Sequence, residues 1–368
     1  MENLPERLAL IRAPHLGPNT LRKLWEQNIE PLELLAASPN ALADFGFDRA
    51  TINAISSPDW ETINQDIRIM KRLGIHLQWG VEDIPHLLWQ IPGAPYWLFA
   101  KGRLSCLKLP TFAVVGSRNP TWLGRELAQE FAASLCGKNL CIASGLAEGI
   151  DAEAHQGALA VGGKTVAVCA TGLDVVYPRK NANLAKRITD SGLLISEYPP
   201  GTVPTRHRFP QRNRIISGLS LGTLVVEAAR RSGSLITARL AADQGREVFA
   251  VPGSVHNPLA KGCHRLIRQG AKLVEEVQDV LEELQQLAQI PFEHAEKSPD
   301  IEHNGEAHPH PKEWQELLDI LSVAPISLDQ LVRKSTLTQD RLCSMLLRME
   351  LAGMVASAPG GVFVRKTQ

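Results

Sequence analysis

Residues Phe209 to Gly253 read FPQRNRIISGLSLGTLVVEAARRSGSLITARLAADQGREVFAVPG and contain the clearest pattern of secondary structure in the chain. Two short valine-rich runs, TLVVEA and EVFAVPG, are bounded by Gly or Pro, which is typical of parallel strands buried on both faces. Between them, SLITARLAADQG predicts a helix that Ser232 or Ser234 caps and Gly245 ends. The stretch therefore predicts strand, crossover helix and strand, with the glycine turn RRSGS facing the crevice where such sheets bind ligands.

The same alternation extends through the middle of the chain. Four further strand candidates, TFAVVG, LCIASG, TVAVCATG and GLLISE, precede this stretch, and helices such as GRELAQEFAASLCG separate them. Strands that alternate with helices predict a doubly wound, mostly parallel α/β sheet. We assign this domain to residues 73–287, where GCHRLIRQGAKLVEEVQDVLEEL supplies a last helix, a short strand and an acidic closing helix.

Smaller units flank the predicted sheet. Residues 1–72 contain short amphipathic helices between Pro, Gly and Asn stops, which predict a helical domain. Its HLGP turn before a basic helix fits either a helix-hairpin-helix contact with DNA or an ordinary turn. Residues 288–311 lack apolar periodicity and predict a linker. Residues 312–368 predict three helices and a hairpin, the winged-helix arrangement that serves DNA or a protein partner.

The charge of the 368-residue chain is unevenly distributed, although its formal net charge is zero. Residues 201–272 contain twelve Lys or Arg and three acids, whereas residues 273–311 contain ten acids and one Lys. A local positive field attracts polyanions. The neutral total therefore does not exclude a nucleic-acid partner.

Other features argue against several classes of protein. The six cysteines form no CxxC pair, which predicts buried reduced thiols and neither a metal site nor a disulfide framework. No apolar run reaches membrane-spanning length and the N-terminus lacks signal-peptide features, so we expect a cytoplasmic protein with no membrane partner. VVGSR lacks the G-x-G-x-x-G pattern and the acid of a dinucleotide site. We expect no cofactor and no bound metal.

Cations and hydroxyls gather at the predicted strand ends. In FAVVGSRNPTWLG, Ser117, Arg118 and Thr121 stand between a strand and a helix start, where backbone amides and an arginine favour phosphate. TRHRFPQRNR sets Phe209 among cations, which suits single-stranded nucleic acid because arginines follow the backbone while the ring stacks on a base. The alternative places Phe209 in the core and pairs the arginines with acids. The cations are Arg206, Arg208, Arg212 and Arg214, and YPRKN adds Arg179 and Lys180.

Two features would instead fit an enzyme. Asp151 and His155, four residues apart on one predicted helix, would form an acid–base pair or hold one another in structure. SGLSLGTLVVE resembles the PGGxGTxxE loop of nucleoside-monophosphate phosphoribohydrolases, but three residues instead of two separate Thr223 from Glu227. A carboxylate moved by one residue along a strand faces the other side of the sheet. We therefore interpret Glu227 as structural or as an arginine partner, and predict no catalytic residue.

Six motifs, in order and across most of residues 72–285, closely resemble the DprA/Smf family. They are VVGSRNPTWLG, SGLAEGIDAEAHQGAL, TVAVCATGLDVVYPRKNANL, LLISEYPPGTVPTRHRFPQRNRIISGLS, LVVEAARRSGSLITARLAADQGREVFAVPG and GCHRLIRQGAKLV. The resemblance implies a bacterial cytosolic protein with an extended Rossmann-like core that binds single-stranded DNA. It also implies a homodimer through that core, and a role in loading the recombinase RecA onto incoming DNA during natural transformation.

The candidate DNA contacts combine the residue pattern with this resemblance. They are Ser117, Arg118, Asn119, Thr121, Arg179, Lys180, Arg206, Phe209, Arg212, Asn213, Arg214, Ser232, Gly233, Ser234 and Lys261. One position departs from the family, which usually reads G-C-N after the PG loop, because His264 stands at that Asn. The family pattern therefore does not determine the turn geometry near Lys261.

We predict that limited proteolysis cuts first within the linker, residues 288–311, and releases a compact fragment that contains the sheet. An acidic, proline-rich segment without apolar periodicity gives a protease ready access to its backbone. Mass spectrometry of the earliest fragments locates the cut. A first cut within residues 110–270 would contradict the proposed domain map.

Overall fold

The computed structural model describes residues 3–288 and part of the C-terminal region. The described C-terminal residues are 314, 317–318, 320–321, 326–335, 337, 341–342, 345–346, 349–350, 354–358 and 362–365. The chain divides into two compact units, Met1–His294 and Ala295–Gln368. The predicted linker lies outside the described residues from position 289 onward, and the domain boundaries stay a prediction.

A nine-stranded sheet organises the first unit, in the order β1-β2-β6-β5-β4-β3-β7-β8-β9. Its strands are β1 (Ile75–Trp79), β2 (Trp97–Gly102), β3 (Thr111–Val115), β4 (Cys141–Ser144), β5 (Thr165–Cys169), β6 (Leu193–Ser196), β7 (Gly222–Val225), β8 (Glu247–Ala250) and β9 (Lys272–Leu273). All neighbours from β6 to β9 pair in parallel. The prediction of a doubly wound, mostly parallel sheet is confirmed, and all six predicted strands are present.

An antiparallel extension, β1 and β2, lies at one edge of the sheet, where the sequence predicts no strand. β2 pairs antiparallel with β6, and β1 pairs antiparallel with β2. The Trp97 indole donates to the Glu197 carbonyl at 2.8 Å and stacks at 6.4 Å on Trp79. Aromatic packing thus fixes this pair to the parallel sheet.

Helices surround the sheet and form the N-terminal region. They are α1 (Leu4–Arg12), α2 (Pro18–Glu26), α3 (Pro39–Asp44), α4 (Arg49–Ser56), α5 (Trp60–Leu73), α6 (Gly80–Asp83), α7 (His86–Trp89), α8 (Trp122–Gly137), α9 (Ile150–Ala160), α10 (Ala182–Ser191), α11 (Arg208–Leu219), α12 (Gly233–Asp243), α13 (Lys261–Arg268) and α14 (Val277–Ala288). Short 3-10 turns cover Pro31–Ala36, Leu104–Lys108, Arg179–Asn181 and Pro258–Ala260. As predicted, Ser232 caps α12, and Gly245 adopts a positive φ of 69° beyond its end.

Two apolar layers cover the two faces of the sheet. Successive residues of β3 alternate between them: Phe112 and Val114 pack in one cluster, and Ala113 and Val115 pack in the other. All five residues of β3 are buried. Burial on both faces explains why the parallel strands read as continuous apolar runs.

The direction in which the chain winds across the sheet changes at β3. From β3 the chain proceeds through β4 and β5 to β6 on one side, and β7 to β9 then lie on the other side of β3. The loops that leave β3 and β7 therefore diverge. Such a divergence opens a crevice at the carboxyl ends of the two strands.

The C-terminal unit contains an antiparallel sheet of three strands, in the order β10-β12-β11. The strands are β10 (Ile326–Ser327), β11 (Val355–Ala358) and β12 (Val362–Arg365). Ser327 and Gln330 form a reciprocal capping box at the start of a helix, Leu328–Lys334. Helical residues are also described between positions 314 and 320 and between 341 and 350. The winged-helix prediction is confirmed.

The described ranges contain no helix that is long and apolar enough to cross a membrane. They also contain no group of three or more His, Cys, Asp or Glu placed to hold a metal ion. The five cysteines described there are unpaired, and Cys343 lies outside the described residues.

Candidate nucleic-acid interface

A cavity of about 630 Å³ opens at the carboxyl ends of β3 and β7. Its walls come from the turn after β3, the start of α11 and the turn before α12, which are far apart in sequence. Ten candidate residues line it: Ser117, Arg118, Asn119, Arg206, Phe209, Arg212, Asn213, Ser232, Gly233 and Ser234. The fold thus brings most of the candidate set into one site.

The turn after β3 is held by the loop in front of α9. The Ile150 amide donates to the Ser117 carbonyl at 3.1 Å, and the buried Ser117 hydroxyl accepts from the Asn119 amide at 3.2 Å. Gly149 has a φ of 80°, and a Cβ atom there would collide with the Ser117 carbonyl oxygen. This close approach requires glycine. It leaves Arg118 exposed at the cavity rim.

The start of α12 forms the opposite wall. The Ser232 hydroxyl lies 2.7 Å from the Ser234 hydroxyl and accepts from the Ser234 amide at 3.3 Å. A Cβ at Gly233 would meet no atom within 4 Å, so the backbone there is open to a ligand. The first amides of a helix carry partial positive charge and favour phosphate. Arg231 is exposed and also lines the cavity, although the candidate set omits it.

An aromatic and cationic group forms the mouth of the cavity. The ring centroids of Phe209 and Tyr177 are 5.5 Å apart, and the Arg118 guanidinium carbon lies 5.5 Å from the Phe209 centroid. Phe209 is only half-buried, and Tyr177 is 45% exposed. Phe209 therefore lies on the cavity wall and not in the core. Tyr177 was missed, although its position beside Arg179 in YPRKN repeats the pattern of an aromatic next to cations.

Arg212 lies beneath the cavity and is only 4% exposed. Its Nη1 atom donates to the carbonyl of Gly145, which follows β4, and to that of Val168, one residue before the end of β5. Burial lowers the pKa of this guanidinium, and the Asp151 carboxylate opposes that effect. These contacts do not fit the phosphate contact predicted for Arg212. Arg212 instead links α11 to the carboxyl ends of β4 and β5 through hydrogen bonds.

Five candidates lie outside the cavity lining: Thr121, Arg179, Lys180, Arg214 and Lys261. Arg214 contacts both Glu197 oxygens, at 2.6 and 2.7 Å, so an acid distant in sequence neutralises it. Burial raises the pKa of Glu197, and Arg214 opposes that rise. Arg179 and Lys180 are exposed, and the Lys180 amine lies 3.4 Å from Glu148. The proposed DNA contact by Arg214 does not fit this geometry.

Glu227 is anchored at the start of α8. Its carboxylate accepts from the Thr121 amide and hydroxyl, each at 2.8 Å, and from the Asn257 side chain at 3.3 Å. A Cβ at Gly124 would lie 2.6 Å from the carboxylate, so the carboxylate packs closely against the helix. The structural interpretation of Glu227 fits, and its donors in the described chain are Thr121 and Asn257. Thr121 is likewise occupied as the α8 cap.

The loop after β8 folds back onto α13. His264 Nε2 lies 2.9 Å from the Gly253 carbonyl oxygen, and Lys261 donates to the Val255 carbonyl. His264, which stands where the family usually has Asn, thus contacts this loop directly. Lys261 is turned toward its own loop and away from the cavity lining.

Asp151 and His155 have different partners. The Asp151 carboxylate accepts from the Gly145 amide at 3.0 Å, and His155 Nδ1 lies 2.6 Å from the Thr165 hydroxyl. Burial raises the pKa of Asp151 and lowers that of His155 to about 3. A neutral, fully buried imidazole of this kind is structural. The acid–base interpretation of the two residues is not supported.

Comparison with known proteins identifies relatives of both parts of the chain. The family model for DNA recombination-mediator protein A matches residues 76–285, and the model for the DprA winged helix domain matches residues 302–361. Protein Smf of Escherichia coli K12 is 44% identical over 275 residues, which cover 73% of this chain and 71% of that protein. The sequence similarity therefore spans the sheet and extends beyond it.

Solved structures show the same fold. The X-ray structure of DNA processing protein A (DprA) from Streptococcus pneumoniae matches with a TM-score of 0.68 and 38% identity, over 77% of this chain and 99% of that chain. DNA processing protein A from Helicobacter pylori, solved for insight into its single-stranded DNA binding mode, matches with a TM-score of 0.53 and 28% identity. That match covers 58% of this chain and 96% of the other.

We predict that His155 makes the protein less stable in mild acid. The unfolded chain binds a proton at this imidazole near pH 6.5, whereas the folded chain binds it only near its lowered pKa of about 3. Protonation therefore favours unfolding as the pH falls below about 6.5, by about 1.4 kcal/mol per pH unit. His155→Asn retains a polar group facing Thr165. Its free energy of unfolding, measured with urea, should decline less steeply than that of the wild type between about pH 7 and pH 5. Equal slopes for the two proteins would exclude this role.

Proposed function

The chain belongs to the DprA/Smf family of DNA recombination mediators, and from this premise we propose that it binds single-stranded DNA in the cavity between β3 and β7. The bound strand is protected and passed to the RecA recombinase during DNA processing and natural transformation. The protein acts as a homodimer formed through its sheet domain. The observation that carries the proposal is the group of Arg118, Phe209 and Tyr177 across the cavity from the amino end of α12.

The chemistry of the cavity suits an unpaired strand. Phe209 and Tyr177 present aromatic rings at the mouth, and an unpaired base has a free face to stack on them. Arg118, Arg206 and Arg231 are exposed around the rings, where their charges attract successive phosphates. In a duplex the base faces are covered by their neighbours. The site therefore favours single strands, with little sequence preference because every base has an aromatic face.

The Helicobacter pylori relative supports the same ligand. Its structure was reported for a single-stranded DNA binding mode, and its fold matches that of this chain. The cavity described above lies at the topological switch point, where sheets of this class bind their ligands. Fold, lining residues and relative thus favour one class of ligand.

Binding without catalysis is favoured over nucleotide hydrolysis. Cleavage of a glycosidic bond requires a carboxylate that reaches the substrate. Glu227 accepts from Thr121 and Asn257, and Asp151, although it lines the cavity, is 8% exposed and accepts from the Gly145 amide. An assay for nucleobase release from nucleoside monophosphates tests the hydrolase alternative. Catalytic release of the nucleobase, over many turnovers per protein molecule, would contradict this part of the proposal.

We predict that Arg118→Ala weakens single-strand binding and flattens its salt dependence. The substitution removes one cation from the rim, so the slope of log affinity against log salt should decrease by about one phosphate contact. Arg103→Ala is a matched control. Arg103 is exposed and lies beside the amino end of β6, whereas the cavity lies at the carboxyl ends of the parallel strands. Fluorescence anisotropy over a salt series measures both. Equal slopes for Arg118→Ala and wild type would show that Arg118 makes no phosphate contact.

We predict that Phe209→Ala costs about 1 to 3 kcal/mol of single-strand affinity and leaves the salt slope unchanged, because it removes a stacking surface and no phosphate contact. Phe209→Trp, which retains an aromatic ring, should preserve most of the affinity. Thermal melting provides the control for folding. A stability loss of about 3 to 5 kcal/mol, as for a core phenylalanine, would refute the stacking role.

A further inference from the structure

Arg12, at the end of α1, joins the N-terminal helices to a loop that leads into the cavity. Its Nε and Nη2 atoms donate to the two Asp66 oxygens at 2.8 and 2.7 Å, and Nη2 also donates to the Pro200 carbonyl at 2.9 Å. The planar guanidinium matches a carboxylate with two parallel bonds. One side chain therefore connects α1, α5 and the loop after β6.

Asp66 provides a rigid anchor for this contact. Its side chain is 4% exposed. Burial raises the pKa of Asp66, whereas the hydrogen bonds and charge of Arg12 oppose that rise. A buried carboxylate is costly unless it is paired, so Arg12 is held in one orientation. The orientation directs the remaining Nη2 donor at Pro200.

The segment that contains Pro200 is a tight turn tied to the loop after β5. The Gly201 amide lies 3.0 Å from both Asp174 oxygens, and Gly201 has a φ of 78°. The Thr202 carbonyl accepts from the Gly172 amide at 3.0 Å. Arg12 therefore contacts a point where two loops are already joined.

Both loops lead to residues at the cavity. The loop after β5 continues from Asp174 to Tyr177, which contacts Phe209. The loop after β6 continues from the Pro200 turn to Arg206, which lines the cavity. A shift of the shared turn would therefore move an aromatic and a cationic group together.

We propose that Arg12 is a positioning residue for strand binding: through Asp66 and the Pro200 carbonyl, the N-terminal helices fix the loops that carry Tyr177 and Arg206 before DNA arrives. This inference rests on the proposed function. A group that is already ordered loses less conformational entropy when it binds, so the tie raises affinity without adding a DNA contact. Through this contact, Arg12 of α1 and Asp66 of α5 take part in positioning the binding loops.

Arg22 provides a matched control for Arg12. It also lies in the N-terminal helices, pairs with Glu26 at 2.9 Å and donates to the Trp89 carbonyl at 2.9 Å. Both arginines therefore combine an ion pair with a contact to a carbonyl outside residues 1–72. Only the carbonyl bound by Arg12 belongs to a loop that leads into the cavity.

The experiment measures binding of a fluorescent oligodeoxythymidylate to the full chain and to Arg12→Ala, Asp66→Asn and Arg22→Ala. We expect Arg12→Ala to weaken binding about threefold to tenfold with an unchanged salt slope. Asp66→Asn should also weaken binding, because it removes the carboxylate charge that orients the Arg12 guanidinium. Arg22→Ala should bind as the wild type does, even where it melts at a lower temperature.

Hydrogen exchange separates loop positioning from general destabilisation. Peptides that cover residues 198–206 should exchange faster in Arg12→Ala and at the wild-type rate in Arg22→Ala. If Arg12→Ala does not fold, Asp66→Asn decides the comparison with Arg22→Ala. Wild-type affinity in Arg12→Ala would overturn the inference. Where Arg12→Ala does not fold, wild-type affinity in Asp66→Asn would overturn it. An equal loss of affinity in Arg22→Ala would also overturn it. A wild-type chain that binds no oligodeoxythymidylate would instead refute the proposed function.

Discussion

A buried guanidinium at the strand ends is the contact on which the cavity depends. Arg212 donates to the carbonyls of Gly145 and Val168 beneath the cavity. Its charge is balanced in part by Asp151, which itself accepts from the Gly145 amide. Because Arg212 lies on α11, the same contact fixes the helix that carries Phe209. The position of the Phe209 ring is therefore determined by the carboxyl ends of the strands.

This arrangement divides four of the candidate arginines into two groups. Arg212 and Arg214 are held by carbonyls or by Glu197, whereas Arg118 and Arg206 remain exposed at the cavity. Neither of the buried arginines reaches a phosphate, and Glu197 offsets the charge of Arg214 in the local positive field. Exposed cations supply the contacts that release counterions from DNA. A basic segment in a sequence thus overstates the number of direct phosphate contacts.

The sequence predicted the parallel sheet well, because strands buried on both faces read as unbroken apolar runs. It did not predict β1 and β2, since their pairing depends on contacts of Trp79 and Trp97 with an edge defined by distant residues. Part of the candidate site shows the same limit. The acid that neutralises Arg214 is Glu197, on the preceding loop, and no local pattern reveals such a pair. Tyr177 also joins the cavity only through tertiary packing.

The anchoring of Glu227 also bears on why one crevice serves binding in some proteins and catalysis in others. Its carboxylate lies at the end of β7, where a reactive group would reach a ligand, but Thr121 and Asn257 occupy both oxygens. A carboxylate fully used by fixed donors is poorly placed to accept a proton from substrate or water. The donors instead fix the start of α8 beside the turn that presents Arg118. In this chain the carboxylate is part of the frame that positions Arg118, which fits the binding role proposed above.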